Sequence, residues 1–208
     1  MGVTGAGTSR HAPQARVTRP RLVAGGTAAV LVALALAASA PRTEAEGALT
    51  PGVAAGGVPI DSTVNKVVAI LGRPSGEFQD PSNPRVIIQR WEPRCLGARY
   101  TPVGGLLALD VWADLGEQCG AAGAYTVDGA GGRRITFAST RADVKAAFGY
   151  APGRVLHGIT FTIFVYDDQG VAFYMRDDGL RRGLVDAMTV FSRGASRSVW
   201  APDSWRGR

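Results

Sequence analysis

His157 is the residue best suited to acid–base chemistry in the part of the chain that we expect to fold; the other histidine, His11, lies near the N-terminus. An imidazole can take up and return a proton near neutral pH. Paired with an acid such as Asp167 or Asp186, His157 could support hydrolysis. No G-x-S-x-G nucleophile elbow occurs in the sequence. Hydrolysis is therefore the alternative, and a non-enzymatic function is the prediction.

Two acidic pairs, Asp167-Asp168 and Asp177-Asp178, could in principle act as paired carboxylates or bind calcium. They lie at opposite ends of one predicted strand, which separates them by roughly 20 Å. That exceeds even the ~9.5 Å spacing of the two carboxylates in inverting glycosidases. Neither pair has the ligand spacing of a calcium loop. Both pairs are typical of turns, and we predict no metal or other cofactor.

The first 40 residues have the layout of an export signal. Residues 22–40 carry no charge, and all four charged residues before them are arginines. A basic segment followed by an apolar run and small residues is typical of a signal peptide. The apolar run is also long enough to remain in the membrane as a signal anchor. In either case the rest of the chain is exported, and an anchored form could be a structural envelope protein.

The two cysteines, Cys95 and Cys119, are predicted to form a disulfide, because an isolated pair in an oxidising compartment usually bridges. The alternative is two buried free thiols. Their separation is too large for a C-x-x-C redox motif.

Charge argues against nucleic acid as a partner. The chain has 23 basic and 17 acidic residues, and without the four leader arginines the balance is only +2. Nucleic-acid binding requires a clustered basic face, which this composition does not indicate. Any membrane association is expected only through an uncleaved N-terminal segment.

Composition divides the remainder into three parts. Residues 41–57 are rich in Ala, Gly and Pro and are predicted to be a flexible linker. Residues 58–192 are predicted to be a single α+β domain. Residues 193–208, rich in arginine, are predicted to be a loose basic tail.

One pattern occurs twice within that domain, which predicts two repeats over 58–128 and 129–192. Each copy is a short helix that ends at a glycine, Gly72 or Gly149, shortly before a proline. Ser62 and Ser139 are the expected N-caps. Antiparallel strands follow each helix, and the clearest are 86–91, 106–113, 159–166, 171–176 and 184–191, with a weaker one at 124–127. Residues 95–100 are expected to run back beside 106–113.

The duplicated pattern resembles the tandem α+β repeat of the β-lactamase-inhibitor-protein fold, and it is similar to small outer-membrane-assembly lipoproteins that carry one such unit. The resemblance is carried by Ser62, Thr63, Val67, Leu71 and Gly72 and by Ser139, Thr140, Val144, Phe148 and Gly149. It implies two short capped helices packed on an antiparallel sheet and a protein-binding function. The chain lacks the lipid-bearing cysteine of the assembly proteins.

The sheet face away from the helices is the predicted binding surface. In strand 159–166 we expect Ile163 and Val165 to lie under the helix, with Phe164 and Tyr166 on the open face. Aromatic and arginine side chains often anchor interfaces, although a solvated sheet face also carries polar residues. The expected partner is an unknown protein or cell-envelope component. The candidate binding residues are Gln89, Trp91, Asp110, Trp112, Tyr166, Tyr174 and Arg176.

Overall fold

The computed structural model describes residues 47–80, 83–113 and 125–200. This part of the chain is an α+β protein with one eight-stranded sheet, one small five-stranded sheet and three short helices. The predicted α+β class is therefore confirmed. The helices are α1 (Val64–Leu71), α2 (Arg141–Phe148) and α3 (Ser196–Val199).

The eight-stranded sheet consists of two four-stranded antiparallel meanders, each preceded by a helix. Its strands are β4 (Gly76–Asp80), β5 (Asn83–Trp91), β6 (Leu96–Tyr100), β7 (Leu106–Trp112), β10 (Arg154–His157), β11 (Phe161–Tyr166), β12 (Val171–Arg176) and β13 (Val185–Phe191). Their order across the sheet is β10-β11-β12-β13-β7-β6-β5-β4. We call α1 with β4–β7 the first unit and α2 with β10–β13 the second unit. The last strands of the units pair at the centre, where Asp110 lies opposite Thr189.

The N-caps of α1 and α2 lie one residue after the predicted serine caps. Thr63 Oγ1 accepts a hydrogen bond from the Lys66 amide at 3.4 Å, and Thr140 Oγ1 accepts one from the Asp143 amide at 3.3 Å. Ser139 Oγ instead accepts from the Thr136 amide. Each helix ends at the predicted glycine, with φ of 83° at Gly72 and 108° at Gly149. These positive φ values favour glycine because a side chain would be strained there.

The segment before α1 is not the predicted flexible linker over residues 47–57. It contributes strands to the small sheet, which consists of β1 (Ala48–Thr50), β2 (Ala54–Ala55), β3 (Val58–Pro59), β8 (Thr126–Asp128) and β9 (Arg134–Ile135). Their order across this sheet is β3-β2-β1-β8-β9. Leu49 and Ala55 are buried, so packing holds a segment whose composition alone indicates flexibility. Residues 41–46 lie outside the described residues.

The main core lies on the face of the eight-stranded sheet that packs against α1 and α2, which we call the inner face. Val67 of α1 and Val144 of α2 are fully buried in this core, together with Val127 of the small sheet. The opposite face of the sheet, the outer face, carries a second and smaller buried cluster.

Candidate functional site

The outer face contains four of the seven predicted binding residues. Asp110 and Trp112 project from β7, and Tyr174 and Arg176 project from β12. Asp110, Tyr174 and Trp112 lie near the centre of the sheet. Arg176 lies at the end of β12, where it forms an ion pair with Asp186 at 2.7 Å.

Gln89, Trp91 and Tyr166 lie on the inner face, so the structure does not place them with the other four. Trp91 and Tyr166 are each 3 % exposed and belong to the main core. Trp91 Nε1 donates to the Gly72 carbonyl at 2.9 Å, and Tyr166 Oη donates to the Gly149 carbonyl at 2.9 Å. Both side chains tie a strand to the end of a helix, which is a structural role.

The predicted orientation of β11 is wrong. Phe164 and Tyr166 face the helices, and the cationic ends of Arg141 and Lys145 from α2 lie 5.4 and 5.6 Å from the Phe164 ring centroid. Ile163 and Val165 face outward and are nevertheless fully buried. Since both faces of this strand are covered, both are apolar, and alternation alone could not tell them apart.

The outer face of the second unit is covered by the C-terminal segment, here defined as residues 192–200. Trp200 is 1 % exposed, and its ring packs edge-on against Phe191 with the centroids 5.4 Å apart. Trp200 Nε1 also donates to Tyr174 Oη at 3.1 Å. Residues 193–200 are therefore not the predicted loose tail, and residues 201–208 lie outside the described residues. Val199 and Trp200 are buried and apolar, and their packing holds this arginine-rich segment against the sheet.

A partly buried ionic network lies at the centre of the outer face. Arg99 forms a two-pronged pair with Asp110, with Nε–Oδ2 at 2.6 Å and Nη2–Oδ1 at 3.3 Å. Thr189 Oγ1 donates to Asp110 Oδ1 at 2.6 Å, and Arg99 Nη2 donates to Tyr174 Oη at 3.2 Å. Asp80 lies on the other side of the guanidinium, with its Oδ2 at 3.5 Å from Nη1.

The pairing in this network keeps Arg99 charged. Desolvation lowers the pKa of Arg99, but its neighbours, Asp110 first and also Tyr174 and Asp80, more than offset this, so the pKa is raised. Burial also raises the pKa of Tyr174, which keeps the phenol neutral. Asp110 and Tyr174 are among the binding residues predicted from the sequence, whereas Arg99, Asp80 and Thr189 are not. The signal that could have found Arg99 is its position on a strand predicted to pair with that of Asp110.

The outer face of the first unit carries an aromatic–guanidinium patch, defined as Phe78, Arg90 and Trp112. The Arg90 Cζ atom lies 4.7 Å from the Phe78 ring centroid and 5.5 Å from the Trp112 ring centroid. Phe78 is 37 % exposed, Arg90 is exposed and Trp112 is half-buried. Arg90 has no carboxylate partner within ion-pair distance among the described residues.

Trp112 packs beside a glycine of the neighbouring strand. A Cβ atom added at Gly97 would lie 3.3 Å from Trp112 Cζ3, which is closer than an ordinary contact. The glycine thus makes room for the indole beside β6.

His157 does not contact either of the acids proposed for it. Its Nδ1 lies 3.4 Å from Thr162 Oγ1, and that hydroxyl donates to Asp177 Oδ2 at 2.7 Å. Asp167 Oδ1 accepts from the Ser196 amide, and Asp186 is paired with Arg176. Asp167 and Asp186, the acids that could have paired with His157, are therefore not hydrogen-bonded to it.

The predicted disulfide involves one residue that the structure describes. Cys95 is fully buried at the start of β6, in a left-handed conformation with φ of 47°. Cys119 lies outside the described residues, so the pairing stays a prediction. No group of three or more His, Cys, Asp or Glu side chains that could hold a metal ion occurs within 47–80, 83–113 and 125–200.

No helix in the described part of the chain has the length and apolar character needed to cross a membrane.

Comparison with known proteins gives a distant structural similarity but no match to a family or a curated protein. No family model matches the chain, and no curated protein matches it. A crystal structure of a DUF4309 family protein, YjgB from Bacillus subtilis, is similar with a TM-score of 0.39 and 16 % sequence identity, covering 63 % of this chain and 78 % of that one.

Proposed function

We propose that this protein is an exported, non-enzymatic interaction module that binds a protein of the cell envelope or its surroundings through the aromatic–guanidinium patch. The observation that carries the proposal is the contrast between two outer faces of one sheet. The C-terminal segment covers the face of the second unit. On the first unit, by contrast, Phe78 and Arg90 are exposed and Trp112 is half-buried.

A duplication of one helix–meander unit supports treating the two faces as equivalent. Trp91 and Tyr166 each lie at the end of the second strand of their meander, and each donates to the glycine that ends the preceding helix. A short 3₁₀ turn follows each of them and closes in a left-handed residue, Cys95 in the first unit and Gly170 in the second. Two copies of one unit would agree in such detail, which supports the proposed repeat.

The helix starts supply a second line of support. Thr63 forms an isolated bridge with Gly105, which precedes β7, and Thr140 forms one with Leu184, which precedes β13. In each unit the N-cap threonine is thus joined to the start of the last strand. Tandem units of this kind also underlie the resemblance to the β-lactamase-inhibitor-protein fold, from which the protein-binding role is taken.

The equivalence identifies what the patch would bind. Aligning the central strands on the pair Asp110 and Thr189 places Trp112 in the position of Phe191. Phe191 is covered by Trp200 and Val199, which come from a single turn of helix. A short segment with an aromatic and an aliphatic side chain therefore fits such a face. On the first unit, Arg90 adds a preference for an acidic group beside them.

Such a patch can act as a binding centre because of its residue types. Tryptophan and arginine are the side chains that most often dominate interface energetics when a partner excludes water from them. A guanidinium held between two aromatic rings is also in place before binding, which lowers the entropy lost on association. The export signal in residues 1–40 would deliver this face outside the cytoplasm.

Site-specific photo-crosslinking tests the proposal. Trp112 is replaced by p-benzoylphenylalanine in the full chain, expressed in its own host and illuminated. We expect a discrete adduct at position 112, reduced several-fold when Arg90→Glu is combined with it. The matched control places the same probe at Tyr150, which is 80 % exposed and lies at the end of α2, away from the patch. Equal adducts at both positions, or none at 112, would contradict the proposal.

A further inference from the structure

A cavity of about 340 Å³ lies at one end of the second unit. It is bounded by the C-terminus of α2, the start of β10, the turn between β11 and β12, and α3. It lies apart from the aromatic–guanidinium patch, whose residues do not line it.

Two residues that line this cavity each carry a buried polar atom with no hydrogen-bond partner among the described residues. Ser196 is 0 % exposed, and its Oγ makes no hydrogen bond there. Arg154 Nη1 is also buried and unpartnered. Buried polar groups are nearly always satisfied in native proteins, so both atoms are expected to have a partner.

The charges around the cavity balance in sign. Arg154 and Arg197 supply two cations, and Asp167 and Asp168 supply two carboxylates. None of the four forms an ion pair with another described residue at 4.0 Å or less. Asp167 Oδ1 accepts from the Ser196 amide at 2.9 Å, which holds the serine in place. A ligand with several negative charges would face both carboxylates, whereas a ligand with one group of each sign can match the site.

The remaining walls suit a small apolar group. Phe148, Ala151 and Tyr166 line the cavity beside the charged residues. The Tyr166 hydroxyl is already used on the Gly149 carbonyl, so the ring supplies apolar surface. The volume is near the lower end of the range for ligand pockets, about 300–1,000 Å³, which suits an amino acid or dipeptide.

We propose that this cavity binds a small zwitterion, namely a free amino acid or a short peptide. Its carboxylate accepts from Arg154 and Ser196, and its ammonium group faces Asp167 and Asp168. The first unit has no equivalent: Gly76 takes the position of Arg154, and Ser75 Oγ there accepts from the Glu92 amide. The site is thus a property of the second unit alone and is independent of the proposed protein-binding face.

Isothermal titration of the exported chain tests the proposal with four probes: L-alanine, L-alanyl-L-alanine, sodium acetate and inorganic phosphate. We expect saturable binding of at least one zwitterion, tighter than acetate and phosphate. Arg154→Met should weaken it by about tenfold or more, because a charge-assisted hydrogen bond is lost. Ser196→Ala should weaken it less. Arg182→Met and Ser198→Ala remove exposed residues of the same types and should leave binding unchanged.

A substitution at an exposed residue keeps the test informative if the substitutions at buried residues disturb folding. Asp168→Asn should reduce the preference for zwitterion over acetate, because it removes a carboxylate that faces the ammonium group. Phosphate or acetate binding at least as tightly as the zwitterions would overturn the proposal. So would no saturable zwitterion binding, or a folded Arg154→Met protein that binds as well as the wild type.

Discussion

The outer faces of the two units differ in what lies on them, although both units present the same strands in the same order. On the second unit, Trp200 packs on Phe191 and donates to Tyr174, and the face is closed by the chain itself. On the first unit, Trp112 lies beside an exposed arginine with no described residue over it in the way that Trp200 covers Phe191. The comparison teaches that the same face of one scaffold can be covered by the chain itself in one unit and left more exposed in the other.

Equivalent positions of the two units differ most in side-chain chemistry at the boundary between the two outer faces. Under the proposed duplication Arg99 and Tyr174 are equivalent, and they contact each other across the central strands at 3.2 Å. One unit supplies a cation and the other a neutral phenol, so two like charges do not meet at the centre. Asp110 and Thr189 are also equivalent and joined by a hydrogen bond. In both pairs, the side chains at equivalent positions are complementary rather than identical.

Removing the cover from the second unit is expected to have the largest effect. Trp200→Ala should lower the free energy of unfolding by about 3–5 kcal/mol, because it empties a fully buried aromatic site. Urea denaturation monitored by circular dichroism measures the change. Trp200→Phe, which keeps most of the volume but loses the donor to Tyr174, should cost less.

Ser198→Ala in the same segment is the control, because Ser198 is exposed and its loss should leave stability within experimental error. If Trp200→Ala were no more destabilising than Ser198→Ala, the C-terminal segment would not be a structural cover. The comparison between a closed face and an open face would then fail.

A smaller effect tests whether the two helix ends are held alike. Tyr166→Phe removes only the donor to the Gly149 carbonyl, and it should lower the free energy of unfolding by about 1 kcal/mol. Burial raises the pKa of Tyr166 to about 12, from about 10 in the unfolded chain. The stability that depends on the neutral phenol is present below pH 10 and lost as the pH rises through 12. The gap between wild type and variant should narrow over that window.

The wild type at the same two pH values is the reference for Tyr166→Phe. An equal gap between wild type and Tyr166→Phe at pH 8 and above pH 12 would contradict the assignment of the hydrogen bond to the neutral hydroxyl.

Local signals in the sequence predicted much of the sheet. Strand 171–176 was predicted with its observed limits, and strand 95–100 was expected beside 106–113, where β6 pairs with β7. Turn residues and the alternation of apolar and polar residues are local signals, so they can be recognised without knowledge of the fold. Both helices were also predicted, because their spacing of apolar residues and their terminal glycines are local signals.

The candidate site was predicted only in part, because it depends on contacts between distant segments. Trp91 and Tyr166 read as surface aromatics, since nothing in the sequence shows that each reaches a helix end. Ile163 and Val165 read as inner-face residues, since nothing shows that Trp200 covers the other face. Arg99 was missed because its partners Asp80 and Asp110 come from different strands.

The starts of the two helices differ in one interaction, and transferring it should have the smallest effect. In α2 the Asp143 carboxylate accepts from the Thr140 amide at 2.8 Å and completes a capping box, whereas Lys66 holds that position in α1. Lys66→Asp should therefore raise the free energy of unfolding by about 0.5 kcal/mol at pH 7. Hydrogen bonds from the side chain and amide of Thr140 lower the pKa of Asp143.

The new carboxylate in α1 should behave in the same way, which fixes the sign of its pH dependence. A lowered pKa in the folded state means that the stabilisation is present above the unfolded value, about pH 4, and is lost as the pH falls through the lower folded value. Urea denaturation at pH 7 and pH 2.5 should thus show a gain only at pH 7. Lys66→Ala removes the lysine without adding an acceptor; if it gave the same gain, the benefit would come from losing a cation near the helix N-terminus, and the two helix starts would differ by charge alone.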